Sequence, residues 1–229
     1  MNESEIQTHI PDWRQAHFEA ALPIIKRTAK SPALKFNYLV LKRGADILLS
    51  SLAIVLILSW LVPILMIMIF IDTRGSVLFI QERIGKDNLP FKCIKLRTIH
   101  LPQSREVSQI SGFCRFLRNS KLDEFTQFIN VLKGEMSIVG PRPHMLSDHL
   151  NFSKALGSQY FLRHKVLPGI TGLAQIKGYA GPVTSHPLLV GRIRMDLLYI
   201  EKWSLGLDFW IMFKTVILLF KPIKNEPIG

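Results

Sequence analysis

An apolar stretch without a single charge limits what this chain can fold into. In residues 47–71 every residue is apolar except three serines, and one proline interrupts the run at position 63. About 25 helical residues extend ~37 Å, whereas the hydrocarbon core of a bilayer is ~30 Å thick. The stretch therefore predicts a membrane-embedded helix.

Both flanks of this stretch are basic. Because cationic flanks favour the cytoplasmic side, the pattern predicts a helix that breaks, dips into the bilayer and returns. Pro63 removes one backbone hydrogen bond, and Ser59, one turn earlier, offers a hydroxyl to the freed groups. A kinked helix that spans the bilayer is the alternative. The flanking cations are Lys35, Lys42 and Arg43 before the stretch, and Arg74, Arg83, Lys86, Lys92, Lys95 and Arg97 after it.

The charge balance narrows the class of partner. The 229 residues include 29 Lys and Arg against 17 Asp and Glu, and 48% of them are hydrophobic. This combination indicates a membrane surface or a phosphate-rich ligand. No helix-turn-helix, zinc-finger or RNP-like pattern occurs, so no nucleic-acid partner is predicted. Cys93 and Cys114 form no CxxC motif, which argues against a disulfide scaffold or zinc site and for a reducing compartment.

The pattern of elements predicts an α+β fold in three segments. Residues 1–35, interrupted by prolines, are predicted to form an N-terminal arm, and residues 36–75 the membrane-associated helix. Residues 76–229 are predicted to form one domain, which contains a strand pair over 77–82 and 91–96. Residues 205–220 are strongly apolar with interspersed polar groups, which favours an amphipathic helix in the membrane interface; a core helix is the alternative.

Two cations lie on the second predicted strand. Lys95 and Arg97 alternate with Ile94 and Leu96, so their side chains would share one face. A solvated strand face explains this pattern, but paired cations are also how a protein holds a diphosphate.

Two adjacent carboxylates stand at the start of a predicted helix. Ser120 and Asp123 have the spacing of a capping box, and Leu122, Phe125, Ile129 and Leu132 recur at helical spacing up to Gly134. Acidic residues are favoured in a first turn by the helix dipole alone, which is the plain reading of Asp123 and Glu124.

The surroundings of these carboxylates favour a functional interpretation. Arg118 lies just upstream, and Arg142 stands between two prolines that restrict the backbone around it. A rigidly held arginine suits bidentate binding of phosphate, although a proline-rich turn with a solvated arginine is the structural alternative.

Taken together, these motifs resemble the bacterial sugar transferase family, the monotopic polyprenyl-phosphate phosphoglycosyl transferases. The resemblance covers roughly residues 40–221, with all of its landmarks in the same order. They are Lys42-Arg43 with Asp46-Ile47, Gln81-Glu-Arg-Ile-Gly-Lys86, Phe91-Lys92 with Lys95-Leu-Arg-Thr98, Phe116-Leu-Arg118, Leu122-Asp-Glu124, Asn130-Val-Leu-Lys-Gly-Glu-Met-Ser137, Val139-Gly-Pro-Arg-Pro143, Pro168-Gly-Ile-Thr-Gly172, and Trp203-Ser204 with Asp208.

The resemblance implies an enzyme at the cytoplasmic face of the bacterial inner membrane, with a re-entrant helix and residues 76–229 as its catalytic domain. It implies transfer of a sugar 1-phosphate from a UDP-sugar to undecaprenyl phosphate, with release of UMP, in exopolysaccharide, capsule or O-antigen synthesis. Asp123 would be the nucleophile that forms an aspartyl phosphosugar, and Glu124 its partner; both would hold a Mg²⁺ ion. A homo-oligomer is left open. The substrate-binding positions would be Lys95, Arg97, Arg118, Arg142 and Asp196.

This chain departs from the family pattern at three places. Trp60 follows Ser59 where the family usually has proline, Phe125-Thr-Gln127 replaces Leu-Pro-Gln, and an Asp-Pro-Arg run is missing around residues 107–109. The departures lie beside the motifs rather than in them. They motivate an alternative function, a catalytically inert membrane scaffold of a polysaccharide assembly complex.

Overall fold

A long apolar helix leads the part of the chain that the structure describes. The computed structural model describes residue 31 and residues 36–99 and 110–219, so almost all of the predicted arm lies outside the described residues. Helix α1 (Phe36–Ala53) continues through a π-helical turn (Ile54–Leu58) into α2 (Ser59–Thr73). We call these three segments together the long helix.

The predicted interruption of the long helix is a π turn rather than a gap. Pro63 lies inside α2 and has no N–H to bond the turn before it. Ser59 donates its hydroxyl to the carbonyl of Val55 at 2.8 Å, and the Trp60 indole donates to the carbonyl of Leu56 at 3.0 Å. These two side chains satisfy carbonyls of the wider π turn, so hydrogen bonding continues through the interruption.

Among the described residues, one helix is long and apolar enough to cross a bilayer. It runs over Tyr38–Thr73, and only 17% of its most apolar window is buried against the rest of the protein. Most of its aliphatic side chains are therefore exposed.

Both ends of the long helix contact the globular part. Near its start, Lys42 pairs with Asp208 at 2.7 Å, and Asp46 accepts the backbone N–H of Ile138 at 3.0 Å. Near its end, Ile69 is fully buried, and Asp72 accepts the hydroxyl of Ser111 at 2.5 Å.

The predicted strand pair is confirmed. Strand β1 (Leu78–Ile84) pairs antiparallel with β2 (Pro90–Leu96), and a short 3-10 turn (Lys86–Asn88) joins them. Strand β4 (His144–Met145) adds to the other edge of β1, giving the order β2-β1-β4. A separate parallel pair consists of β3 (Ser137–Val139) and β5 (Gly169–Thr171).

The segment with the two carboxylates differs from its prediction. Helix α3 (Gly112–Asn119) ends at Ser120, whose hydroxyl bonds back to the carbonyl of Phe116 at 2.8 Å, so the predicted capping box is wrong. Lys121, with a φ of 58°, redirects the chain instead. A 3-10 helix (Leu122–Gln127) and then α4 (Phe128–Lys133) follow, and Gly134 ends α4 with a φ of 84°, as its position predicts.

Helices complete the second half of the domain. They are α5 (Leu146–Leu156), α6 (Ser158–Leu162), α7 (His186–Glu201) and α8 (Leu205–Leu219), with a 3-10 turn (Arg163–Lys165) after α6 and a π turn (Gln175–Tyr179) after β5. Their apolar faces close around one main core that includes Val131, Tyr160 and Ile200. The mixture of helices and two small sheets confirms the α+β class.

Candidate active site

The 3-10 helix presents two neighbouring carboxylates to different surroundings. Glu124 is buried, with 6% of its surface exposed, whereas Asp123 is half-buried. Because successive residues of a 3-10 helix point about 120° apart, adjacent side chains do not share their neighbours. The pair therefore divides into an enclosed carboxylate and a more open one.

Two cations hold Glu124 in place. The Lys95 ammonium lies 2.7 Å from Oε1, and the Arg142 guanidinium approaches Oε1 at 2.9 Å and Oε2 at 3.4 Å. Burial alone would raise the pKa of Glu124, but the charges of Arg142 and Lys95 outweigh it and hold the pKa well below its usual range. Glu124 is thus ionised and has hydrogen bonds at both oxygens.

Asp123 keeps an oxygen free. Its Oδ1 is buried and has no hydrogen-bond partner among the described residues. Burial raises the pKa of Asp123, and the negative charge of Glu124 raises it further. The cations Lys95, Lys121 and Arg118 act in the opposite direction. A half-buried carboxylate with an unpaired oxygen and weakened solvation is suited to nucleophilic attack.

The turn that carries Arg142 is clamped on both sides by arginines. Arg163 donates to the carbonyl of Arg142 at 2.5 Å, and Arg83 donates to the carbonyl of Pro143 at 3.0 Å. The charge of Glu124 raises the pKa of Arg142, so its guanidinium stays protonated. The backbone that carries this guanidinium is therefore fixed by two independent contacts.

Close backbone packing also supports this turn. A Cβ on Gly169 would lie 2.1 Å from the nitrogen of Gly140, and one on Gly172 would lie 2.2 Å from the Gly140 carbonyl oxygen. Real Cβ atoms do not approach that closely, so these positions admit only glycine. The turn-rich segment predicted to permit a close approach thus packs against the Arg142 turn.

Asp196 lies behind the Arg142 turn. Its Oδ2 accepts from Nε of Arg163 at 2.9 Å, and both side chains are almost fully buried. Through Arg163, Asp196 is connected to the Arg142 backbone. His144 and Tyr160 join the same cluster, with His144 Nδ1 2.9 Å from the Tyr160 hydroxyl and 3.3 Å from Arg163 Nη1.

The remaining predicted positions lie at the edge of the site. Arg118 is exposed at the end of α3, where its charge helps to lower the pKa of Asp123 against the effect of burial. Arg97 follows β2, and its guanidinium lies near Gly75. The structure thus brings Lys95, Glu124 and Arg142 into direct contact around Asp123, and places Arg97 and Asp196 farther out.

The sequence does not predict the two clamping arginines. Arg83 lies in a motif and in the basic flank of the apolar stretch, but neither assigns it to the site, and Arg163 lies in no motif. Each binds a backbone carbonyl that reaches it only through folding, so local spacing gives no signal for either contact.

The arrangement of carboxylates suits a magnesium ion bound through Asp123 and substrate phosphates, rather than one enclosed by protein side chains. No group of three or more His, Cys, Asp or Glu side chains among the residues described is arranged to hold a metal. Mg²⁺ is commonly bound by one or two carboxylates together with substrate phosphates. Asp123 has the free oxygen for this, whereas Glu124 would have to share oxygens already bonded to Lys95 and Arg142.

Comparison with known proteins places the chain in a family. Residues 37–222 match the family described as bacterial sugar transferase. The chain is 41% identical over 199 residues to the UDP-glucose:undecaprenyl-phosphate glucose-1-phosphate transferase of Klebsiella pneumoniae, and the match covers 82% of this chain and 41% of that protein. It is 36% identical over 188 residues to the UDP-N-acetylgalactosamine-undecaprenyl-phosphate N-acetylgalactosaminephosphotransferase of Aeromonas hydrophila, covering 78% of this chain and 43% of that protein.

A shorter relative matches along most of its length. The chain is 35% identical over 194 residues to the exopolysaccharide production protein PSS of Rhizobium leguminosarum bv. phaseoli, covering 78% of this chain and 94% of that protein. By contrast, it spans about two fifths of the length of the first two relatives. Since the family match extends over most of the residues, the chain belongs to the bacterial sugar transferase family.

Proposed function

We propose that this chain transfers a sugar 1-phosphate from a UDP-sugar to undecaprenyl phosphate and releases UMP. The proposal rests on the Oδ1 of Asp123, unpaired among the described residues, next to a Glu124 carboxylate held between Lys95 and Arg142. Relatives named for transfer to undecaprenyl phosphate support the same chemistry. The product would begin the assembly of an exopolysaccharide, capsule or O-antigen.

The first step uses Asp123 as the nucleophile. A carboxylate oxygen attacks the phosphorus that bears the sugar, the bond from that phosphorus to the bridging oxygen breaks, and UMP leaves with the bridging oxygen. The product is an aspartyl phosphosugar. Lys95 and Arg142 bind the neighbouring Glu124 and would offset the negative charge of the diphosphate during the approach.

The second step regenerates the carboxylate. A phosphate oxygen of undecaprenyl phosphate attacks the same phosphorus, the bond from phosphorus to the Asp123 oxygen breaks, and the lipid diphosphosugar leaves. A Mg²⁺ ion bound at Asp123, with Glu124 as its neighbour, would neutralise phosphate charge. Arg118 and Arg97, at the edge of the site, are proposed to guide the substrate phosphates.

Asp196 is proposed to act from behind the site. Because its carboxylate is buried against Arg163, it does not reach a substrate in this arrangement. Its effect on binding would pass through Arg163 to the carbonyl of Arg142. This role differs from direct contact with the substrate.

The long helix is proposed to enter the cytoplasmic leaflet of the inner membrane and return. Its apolar side chains are exposed, while Lys42 at one end and Ile69 at the other contact the same globular part. A 36-residue helix extends about 54 Å, well beyond the ~30 Å of a bilayer core. Ends on opposite membrane faces could not both pack on one domain. The exposed apolar residues of α8, among them Phe209 and Phe213, extend this membrane-facing surface.

The test is release of UMP by protein reconstituted in lipid with Mg²⁺, undecaprenyl phosphate and a panel of UDP-sugars that includes UDP-glucose and UDP-N-acetylgalactosamine. We expect release with at least one donor and none from Asp123→Asn. Undiminished release by that variant would exclude Asp123 as the nucleophile. No release with any donor from a stably folded protein would contradict the proposal and support the inert scaffold.

A further inference from the structure

The strand that carries Lys95 is an edge strand. In the order β2-β1-β4, β2 has β1 on one side and no strand on the other within the described part of the chain. One row of its backbone N–H and C=O groups therefore points away from the sheet. Such groups need partners wherever the edge is covered.

Two side chains take the place of a further strand along this edge. The Thr126 hydroxyl donates to the carbonyl of Ile94 at 2.9 Å, and the Ile94 N–H donates to Oδ1 of Asn130 at 3.1 Å. Asn130 also donates from Nδ2 to the carbonyl of Lys92 at 2.8 Å. Both backbone groups of Ile94 are thus bound by side chains from the segment that carries the two carboxylates.

These contacts lie next to the ion pair of the active site. Ile94 directly precedes Lys95, and Thr126 follows Glu124 by two residues. The Thr126–Ile94 hydrogen bond and the Lys95–Glu124 ion pair therefore join the same two segments side by side. Thr126 is only 3% exposed, so solvent does not readily replace its hydroxyl.

The position of the Lys95 ammonium determines how strongly its charge acts on Asp123 and Glu124. A lysine side chain is long and flexible, and its position depends on the backbone to which it is attached. The interaction between two charges weakens in proportion to the distance between them, so it halves when the separation doubles. A shift of β2 against the 3-10 helix would therefore change the electrostatics at both carboxylates.

We propose that Thr126 is a positioning residue whose hydroxyl docks the 3-10 helix on the edge of β2 and thereby fixes Lys95 against Glu124 and Asp123. The catalytic consequence rests on the proposed function, whereas the docking contact does not.

The first measurement follows the docking itself in lipid-embedded protein. Thr126→Val keeps the side-chain shape but removes the hydroxyl, and Thr126→Ser keeps the hydroxyl. By hydrogen–deuterium exchange we expect about tenfold faster exchange over 91–96 and 122–127 in the valine variant, since a lost buried hydrogen bond changes local opening by roughly that factor. The serine variant should exchange like the wild type. Unchanged exchange in Thr126→Val would overturn the proposal.

A second measurement reads Lys95 directly and needs no turnover. The rate at which an acylating reagent modifies Lys95 should rise several-fold in Thr126→Val and return in Thr126→Ser, with exposed Lys92 as the internal reference. The matched control is Thr215→Val in α8, which removes a hydroxyl that is hydrogen-bonded to Thr171. It should leave the acylation rate of Lys95 unchanged. Loosened exchange without a change at Lys95 would reduce Thr126 to a purely structural role.

The third measurement connects the contact with catalysis. In Thr126→Val kcat should fall several-fold, while KM for the UDP-sugar changes little. Thr126→Ser should restore kcat. If the wild type releases no UMP from any donor, the proposed function fails, and the exchange and acylation results still decide whether Thr126 positions Lys95.

Discussion

At the scale of single residues, the site contains two neighbouring carboxylates with different surroundings. Glu124 is locked by Lys95 and Arg142, whereas Asp123 keeps one oxygen without a partner among the described residues. Environments that separate two carboxyl groups in this way assign them different tasks. We therefore propose attack by Asp123 and electrostatic organisation by Glu124.

The pH dependence of turnover should reveal the ionisation of Asp123. Burial and the charge of Glu124 raise the pKa of Asp123 above its ordinary 3.8, while Lys95 opposes them. As the pH falls through this raised pKa, Asp123 gains a proton and activity is lost. Removing the Lys95 charge leaves the raising effects less opposed, so Lys95→Met should move the acid limb of kcat/KM to higher pH.

Lys92→Met is the control for that profile, because Lys92 lies on the same strand but is exposed. It should leave the acid limb unchanged. An acid limb that stays in place in Lys95→Met would mean that Lys95 does not tune the nucleophile.

The sequence predicts the charged groups of the site but not the arginines that hold the backbone around them. Lys95, Asp123, Glu124 and Arg142 were predicted as site residues, and the structure brings them together; their roles stay predictions. Arg83 and Arg163 were not predicted, because each binds a backbone carbonyl. Contacts of that kind depend on tertiary approach rather than on residue type or spacing.

At the scale of elements, the Arg142 turn is the most constrained segment. The parallel pair of β3 and β5 brings Gly140 against Gly169 with no room for a side-chain carbon. Gly169→Ala should therefore force the strands apart, at a cost of about 1–3 kcal/mol in the free energy of unfolding, and displace Arg142. The midpoint temperature of thermal unfolding and the rate of UMP release should both fall.

A matched substitution separates this packing effect from the general effect of replacing glycine. Gly112 starts α3 and has no atom within 4 Å of an added Cβ. Gly112→Ala should leave stability and activity unchanged or slightly higher. Equal losses in the two variants would contradict the packing account.

Element boundaries were predictable where one local force dominates. The strand pair and the end of α4 at Gly134 follow from alternation and from a left-handed turn. The predicted start of the carboxylate helix is wrong. The Ser120 hydroxyl instead bonds to the Phe116 carbonyl at the end of the preceding helix, and Lys121, at a φ of 58°, precedes a 3-10 helix. A capping pattern does not show which of two adjoining helices the serine serves.

At the scale of the whole molecule, the basic domain and the apolar surface point to one membrane face. The formal net charge is +12, which favours an anionic cytoplasmic leaflet by roughly 1 kcal/mol for each cation near the surface. The long helix and α8 expose apolar side chains. Both features support the proposal that the site acts on a lipid phosphate at the membrane interface.

Cysteine labelling tests this topology. Cys93 and Cys114 are buried, so single cysteines introduced at His9 and Ser147, before and after the long helix, should dominate the signal. In intact cells a membrane-impermeant maleimide should label neither position, and after permeabilisation it should label both. Labelling of one position in intact cells and of the other only after permeabilisation would mean that the long helix spans the membrane.

In the proposed mechanism, Asp123 carries the sugar phosphate between two separate displacements. The most direct measurement is exchange of labelled UMP into UDP-sugar by the lipid-embedded protein with Mg²⁺ and without undecaprenyl phosphate. The two-step account predicts exchange in the absence of the lipid acceptor, and none in Asp123→Asn. Exchange that appears only when undecaprenyl phosphate is present, in a protein that turns over, would contradict the covalent account.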